Sequence, residues 1–172
     1  MSKDVNWSEI PFFAGLSPAD LNLVKPLFTL ESHQAGAAII SENEEGDEMF
    51  ILVRGRVRVS KSMIQKDIAV IIPGLEHTRK VLATLDATNY PVFGEVAMLD
   101  RDRRSATVEA VTACLMLKTS RDRFFAFTKE QPALGCRILS EIGKRLAAMV
   151  RRNNSELVKL TTALAVALSR RM

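Results

Sequence analysis

Gly46-Asp-Glu-Met-Phe-Ile-Leu-Val-Arg-Gly55-Arg-Val-Arg-Val-Ser60 reads as two short strands folded over a glycine. Arg56 and Arg58 fall on one face and Val57 and Val59 on the other, the two-residue period of a half-buried strand. The same period recurs outward from this hairpin in short β-rich runs at Phe28–Glu31, Ala37–Ser41, Asp67–Ile72, Lys80–Leu85, Ala106–Ala110 and Ala113–Thr119. Gly36, Gly46, Gly55 and Pro73-Gly74 punctuate them. Many short strands between turn residues predict a sandwich or a closed barrel. The stretch from Ser62 to Thr78 reads as a lengthened hairpin connection, with His77 a loop residue.

Helical signals flank the β-rich region. Ser17-Pro-Ala-Asp20 combines a capping serine, a proline at the first helical position and an acid in the first turn, so a short helix is expected over about Pro18–Pro26. After Ser120, a second capping candidate, the period becomes helical through Phe124, Phe125 and Phe127, which read as a core staple, until Gln131-Pro132 breaks the run. A long helix is expected over about Pro132–Ser169, with Leu139, Ile142, Leu146, Met149, Asn153, Leu157, Leu160 and Leu164 forming one stripe. An apolar stripe on a helix that outruns a small β domain either packs on a second copy of the chain or folds back as core. The homodimer is the preferred reading. The chain therefore divides into an N-terminal helical segment at 1–26, a β domain at 27–119 and C-terminal helices at 120–172.

Composition narrows the chemistry. In 172 residues there are 24 Lys and Arg against 20 Asp and Glu, a net charge of +4 from mixed-sign sequence that argues only weakly for an anionic partner. Two histidines, His33 and His77, lie far apart in sequence, so neither a histidine metal site nor a Cys/His nucleophile pair is expected, and a metal-dependent enzyme on a β barrel lacks its ligands. Cys114 and Cys136 fall in apolar or helical patterns and read as reduced core thiols. No apolar run approaches the ~20 residues of a membrane-spanning helix, and the start lacks a signal-peptide core, so a cytoplasmic protein without membrane contact is expected.

The chemistry concentrates in Phe93-Gly-Glu-Val-Ala-Met-Leu-Asp-Arg-Asp-Arg-Arg-Ser-Ala-Thr-Val-Glu-Ala110. Gly94 lets backbone approach a ligand, and one helical turn after it would offer free amide groups to an anion. Arg104 supplies a planar fork of donors for phosphate oxygens, while Ser105 and Ala106 are small enough to let backbone and hydroxyl reach the same group. Glu95 would be repelled by phosphate unless it accepts a hydroxyl proton or meets a cation, so a phosphate carrying a neighbouring sugar hydroxyl satisfies both residues. Taken singly, Arg104 could be a surface arginine paired to Asp100 or Asp102, and Glu95 an ordinary helix-start carboxylate.

Together these residues resemble the phosphate-binding cassette of the cyclic nucleotide-binding domain family, shared by catabolite activator proteins, protein kinase regulatory subunits and gated channels. The likeness rests on Phe93-Gly94-Glu95-Val96-Ala97 followed by Arg104-Ser105-Ala106, and extends to Pro11-Phe-Phe-Ala-Gly-Leu-Ser-Pro and to Gly46-Asp-Glu-Met-Phe-Ile-Leu-Val-Arg-Gly55. It implies a mainly β fold with flanking helices, a jelly-roll barrel of cupin-like double-stranded helix type followed by a long C-terminal helix. It also implies that the eight cassette residues hold the phosphate and ribose of a cyclic nucleotide, cyclic AMP before cyclic GMP, without a metal. Two turn glycines usual in the family are replaced, one by Asn43 and one within Thr88-Asn89-Tyr90-Pro91, where Asn tolerates positive φ. Asn153 and Asn154 have two readings: hydrogen-bonding the base edge, or, for Asn153, fixing register against a second helix. The expected function is a non-catalytic regulatory module. The alternative is a catabolite-activator-type transcription factor, but the sequence after the long helix shows no helix-turn-helix, so nucleic acid is not an expected partner. Lys144-Arg145 and Arg151-Arg152 read as the solvated face of the helix.

Overall fold

The structure, a computed structural model, describes residues 5–62 and 79–169; the run expected at Asp67–Ile72, and His77, lie outside these residues. Ser17 closes a capping box with Asp20, its hydroxyl accepting from the Asp20 amide and its own amide donating to the Asp20 carboxylate, both at 3.1 Å. This starts α1 (Pro18–Val24). Pro26 then removes an amide that a longer helix would need, so α1 stops short of the expected Pro26 and gives way to a 3-10 turn at Lys25–Leu27.

Among the described residues eight strands follow: β1 (Thr29–His33), β2 (Ala38–Ile40), β3 (Glu48–Arg54), β4 (Arg56–Ser62), β5 (Arg79–Asp86), β6 (Val92–Phe93), β7 (Thr107–Ala110) and β8 (Cys114–Ser120). They form two antiparallel sheets in the orders β1-β8-β3-β6 and β2-β7-β4-β5, within the sandwich-or-barrel class that the turn-punctuated pattern predicted and of the jelly-roll type that the resemblance implied. The apolar run Met49-Phe-Ile-Leu52 is continuous because β3 is buried on both faces. Met49 and Ile51 join a core with Ile10, Phe12, Leu117, Phe124 and Ile142, while Phe50 and Leu52 join another with Ile40, Val57, Phe93 and Met116. At one end of the second sheet, Arg79 donates to Glu42 Oε2 (3.2 Å), Thr107 Oγ1 (2.5 Å) and Ser60 Oγ (3.1 Å), tying β5 to its neighbours.

A short helix, α2 (Glu95–Asp100), bridges β6 and β7. Beyond β8, Ser120 accepts from the Arg123 amide at 3.5 Å and opens α3 (Arg121–Glu130), with Phe124 fully buried and Phe125 and Phe127 packed beside it as the expected staple. Pro132 starts α4 (Pro132–Ser169), which buries Leu134, Gly135, Ile138 and Ile142 and beyond Leu146 runs exposed. Leu157, Leu160 and Leu164 are between 58 and 61% exposed, so the distal stripe is not folded back as core. Both cysteines are free, but the reading of both as core thiols is corrected: Cys114 is buried, whereas Cys136 is exposed on the outer side of α4.

Candidate functional site

The stacked rings of Phe50 and Phe93, 5.4 Å apart and 14° from parallel, lock β6 onto β3 and so place the residue that follows. Gly94 turns the chain at φ 83°, and a Cβ there would sit 2.7 Å from the Glu48 carbonyl oxygen. Only glycine fits this turn. The next residue opens α2, whose first-turn amide groups have no carbonyl one turn back in the helix.

Arg104 is 5% exposed and comes to this turn from the far side of the loop. Its Nη1 donates to the carbonyl oxygens of Glu48 (2.7 Å) and Gly94 (3.1 Å), and its Nη2 to Glu48 Oε2 (2.8 Å). The surface pairing with Asp100 or Asp102 is thereby overturned. Those aspartates instead accept from backbone amides of the loop, Asp100 from Asp102 (3.0 Å) and Asp102 from Arg103 (2.7 Å). Gly46 lies against the guanidinium so closely that a Cβ would meet Nε at 2.5 Å and Cζ at 2.9 Å.

Glu95 is 9% exposed. Burial pushes its carboxyl above the usual carboxylate range, against the opposing pull of its own backbone amide and of the Arg145 charge. Arg145 is therefore no member of a solvated face: it is half-buried on α4, with its guanidinium carbon 5.5 Å from the Phe12 ring centroid. Phe93 and Ala97 are buried, Gly94, Val96 and Ala106 half-buried and Ser105 exposed, and the bond from Arg104 to the Gly94 carbonyl joins the 93–97 turn to the 104–106 loop. The structure does not bring Asn153 and Asn154 there. Both are exposed on the distal half of α4, beyond Ile142 and Leu146, the last residues of that helix to join the core.

The turn replacements also resolve. Asn43 adopts φ 68°, as an asparagine standing for glycine should, but in the second segment the left-handed residue is Tyr90 (φ 46°) and not Asn89. Glu48, paired with Arg104, and Arg145, whose charge acts on Glu95, join the candidate site although spacing did not reveal them. The signal for Glu48 was its place at the start of β3, closing the acidic run Glu44-Glu-Gly-Asp-Glu48. Among the described residues no group of three metal-ligating side chains occurs, and no helix is long and apolar enough to cross a membrane.

The model of the cyclic nucleotide-binding domain matches residues 30–131, more than half of the chain. The chain belongs to the cyclic nucleotide-binding domain family. Among relatives of this domain, the cyclic AMP receptor protein of Thermus thermophilus is 23% identical over 79% of this chain and 57% of its own length. A cAMP-dependent protein kinase regulatory subunit from Mycosarcoma maydis is 31% identical over 61% of this chain and 17% of its own length. This chain thus spans little more than half of the first relative and a sixth of the second. In fold, the domain is similar to the Thermus thermophilus catabolite activator protein (24% identity, TM-score 0.72, 88% of this chain and 63% of that one). A cyclic nucleotide-binding domain from Methylobacillus flagellatus is similar at 21% identity, TM-score 0.72, over 88% of this chain and 78% of that one.

Proposed function

We propose that the chain is a non-catalytic, cytoplasmic regulatory module that binds a cyclic nucleotide, cyclic AMP in preference to cyclic GMP, and passes its occupancy to α4. Arg104 is the observation that carries this reading. A guanidinium buried behind a glycine turn, at the open end of a helix and with a carboxylate on the next residue, is the donor set of a phosphate next to a hydroxyl. In this reading Phe93–Ala97 and Arg104–Ala106 hold the ligand. Its phosphate competes with the Glu48 carboxylate for the Arg104 fork, and its ribose 2′-hydroxyl donates to Glu95. The preference for adenine rests on Ser105 and on the cyclic AMP names of the two relatives described above. Asn153 and Asn154 would meet the base only if α4 folded over the barrel; the exposed stripe instead supports a homodimer paired along α4, with Asn153 in the seam.

Calorimetric titration of wild type and Arg104→Ala with cyclic AMP and cyclic GMP tests the proposal. Loss of a buried charge-assisted pair costs roughly 2–5 kcal/mol, so the variant should bind tens to thousands of fold more weakly. Unchanged affinity in the folded variant overturns the site, and tighter binding of cyclic GMP reverses the base preference. A second reading, the sensor part of a catabolite-activator-type transcription factor, is favoured by the likeness to the Thermus thermophilus receptor protein over 79% of this chain. Cyclic AMP-dependent retardation of DNA by the chain in a mobility assay would support it.

A further inference from the structure

Six residues make α2 too short to hold itself, and its last carbonyls have no helical partner. Those carbonyls are capped from behind. Arg121 Nη1, at the start of α3, donates to the carbonyl oxygens of both Met98 and Leu99, the latter at 2.6 Å. A cation at this end of a helix also meets the negative pole of its dipole. The Arg121 side chain is held in turn by the Phe125 ring, 4.5 Å below its guanidinium carbon. Its backbone amide donates to the Asp47 carbonyl at 3.0 Å, one residue before the Glu48 that holds Arg104.

The cassette helix is thus gripped at both ends by arginines anchored to two consecutive residues, Arg121 to Asp47 and Arg104 to Glu48. Arg104 takes the Gly94 carbonyl at its start, and Arg121 takes the Met98 and Leu99 carbonyls at its finish. We propose that Arg121 is a positioning residue for the ligand site: it never meets the nucleotide, yet ligand affinity depends on it because it fixes the direction in which the first-turn amides of α2 point. This rests on the reading of the cassette as a cyclic nucleotide site.

The test compares wild type, Arg121→Gln, Arg121→Lys and Phe125→Leu by calorimetry with cyclic AMP, by hydrogen exchange of residues 95–101 without ligand, and by thermal melting. Hydrogen bonds to a charged donor set the scale. Arg121→Gln should weaken binding roughly ten- to a hundredfold and speed exchange across α2, while β3 and β8 stay protected. Arg121→Lys, which keeps the charge but loses the fork, and Phe125→Leu, which keeps the arginine but loses its seat, should fall between. Wild-type affinity in a folded Arg121→Gln overturns the proposal, and so does a loss of protection spread evenly over barrel and cassette, which would mark Arg121 as a stability residue. Failure of wild type itself to bind cyclic AMP or cyclic GMP would instead remove the site reading on which the proposal stands.

Discussion

At Gly46 a single hydrogen atom separates a working guanidinium from a displaced one. Gly46→Ala should push Arg104 off its three acceptors and lower cyclic nucleotide affinity by on the order of tenfold or more, read by titration, since the added Cβ has no space at 2.5 Å from Nε. Glu95 makes a second prediction through pH. Its folded-state pKa is raised, so folding favours the protonated acid; its contribution is full in acid and is lost as pH rises through that pKa. Ligand-free Glu95→Gln should therefore have a higher urea midpoint than wild type at about pH 7, with the gap closing toward about pH 4. A gap of constant size would show that burial of the charge is not its source. Arg104 and Glu95 were legible because their residue types and spacing carry the chemistry. Glu48 and Arg145 were not, because each acquires its role from a segment remote in sequence: the loop of Arg104, and the N-terminal turn that brings Phe12. Tyr90 was illegible for a local reason, since a residue before proline is biased to extended backbone and tyrosine seldom turns left-handed.

Among the elements, α4 has two regimes. Over Leu134–Ile142 it is a core helix; beyond Leu146 it carries leucines that are more than half exposed. Its length and stripe were readable from a sustained period, whereas the point at which it leaves the barrel was not, because the stripe continues unchanged across it. Exposure makes a clean experiment. Leu157→Glu with Leu164→Glu should leave the melting temperature of a dilute sample and the nucleotide affinity unchanged, while static light scattering falls from the mass of two chains to that of one. A wild type that stays monomeric at high concentration would remove the homodimer.

For the molecule as a whole, stability concentrates where sheets and helices meet. Phe124, fully buried between β8, the N-terminal turns and α4, should cost about 3–5 kcal/mol on truncation to alanine and lower the melting temperature by roughly 6–20 °C in calorimetry. A sandwich or barrel was legible as a class from short strands and turns, and the jelly roll only through the cassette's resemblance to its family; the pairing order was not legible, because strand partners are chosen across the whole chain. That order has a consequence for how the protein is born. β1 pairs with β8, and Thr29 reaches across to Lys118, 89 positions later. At translation speeds of roughly 5–20 residues per second, β1 leaves the ribosome about 4–18 seconds before its partner exists. Throughout that wait its backbone is an open edge, and the first sheet can close only once β8 has been synthesised.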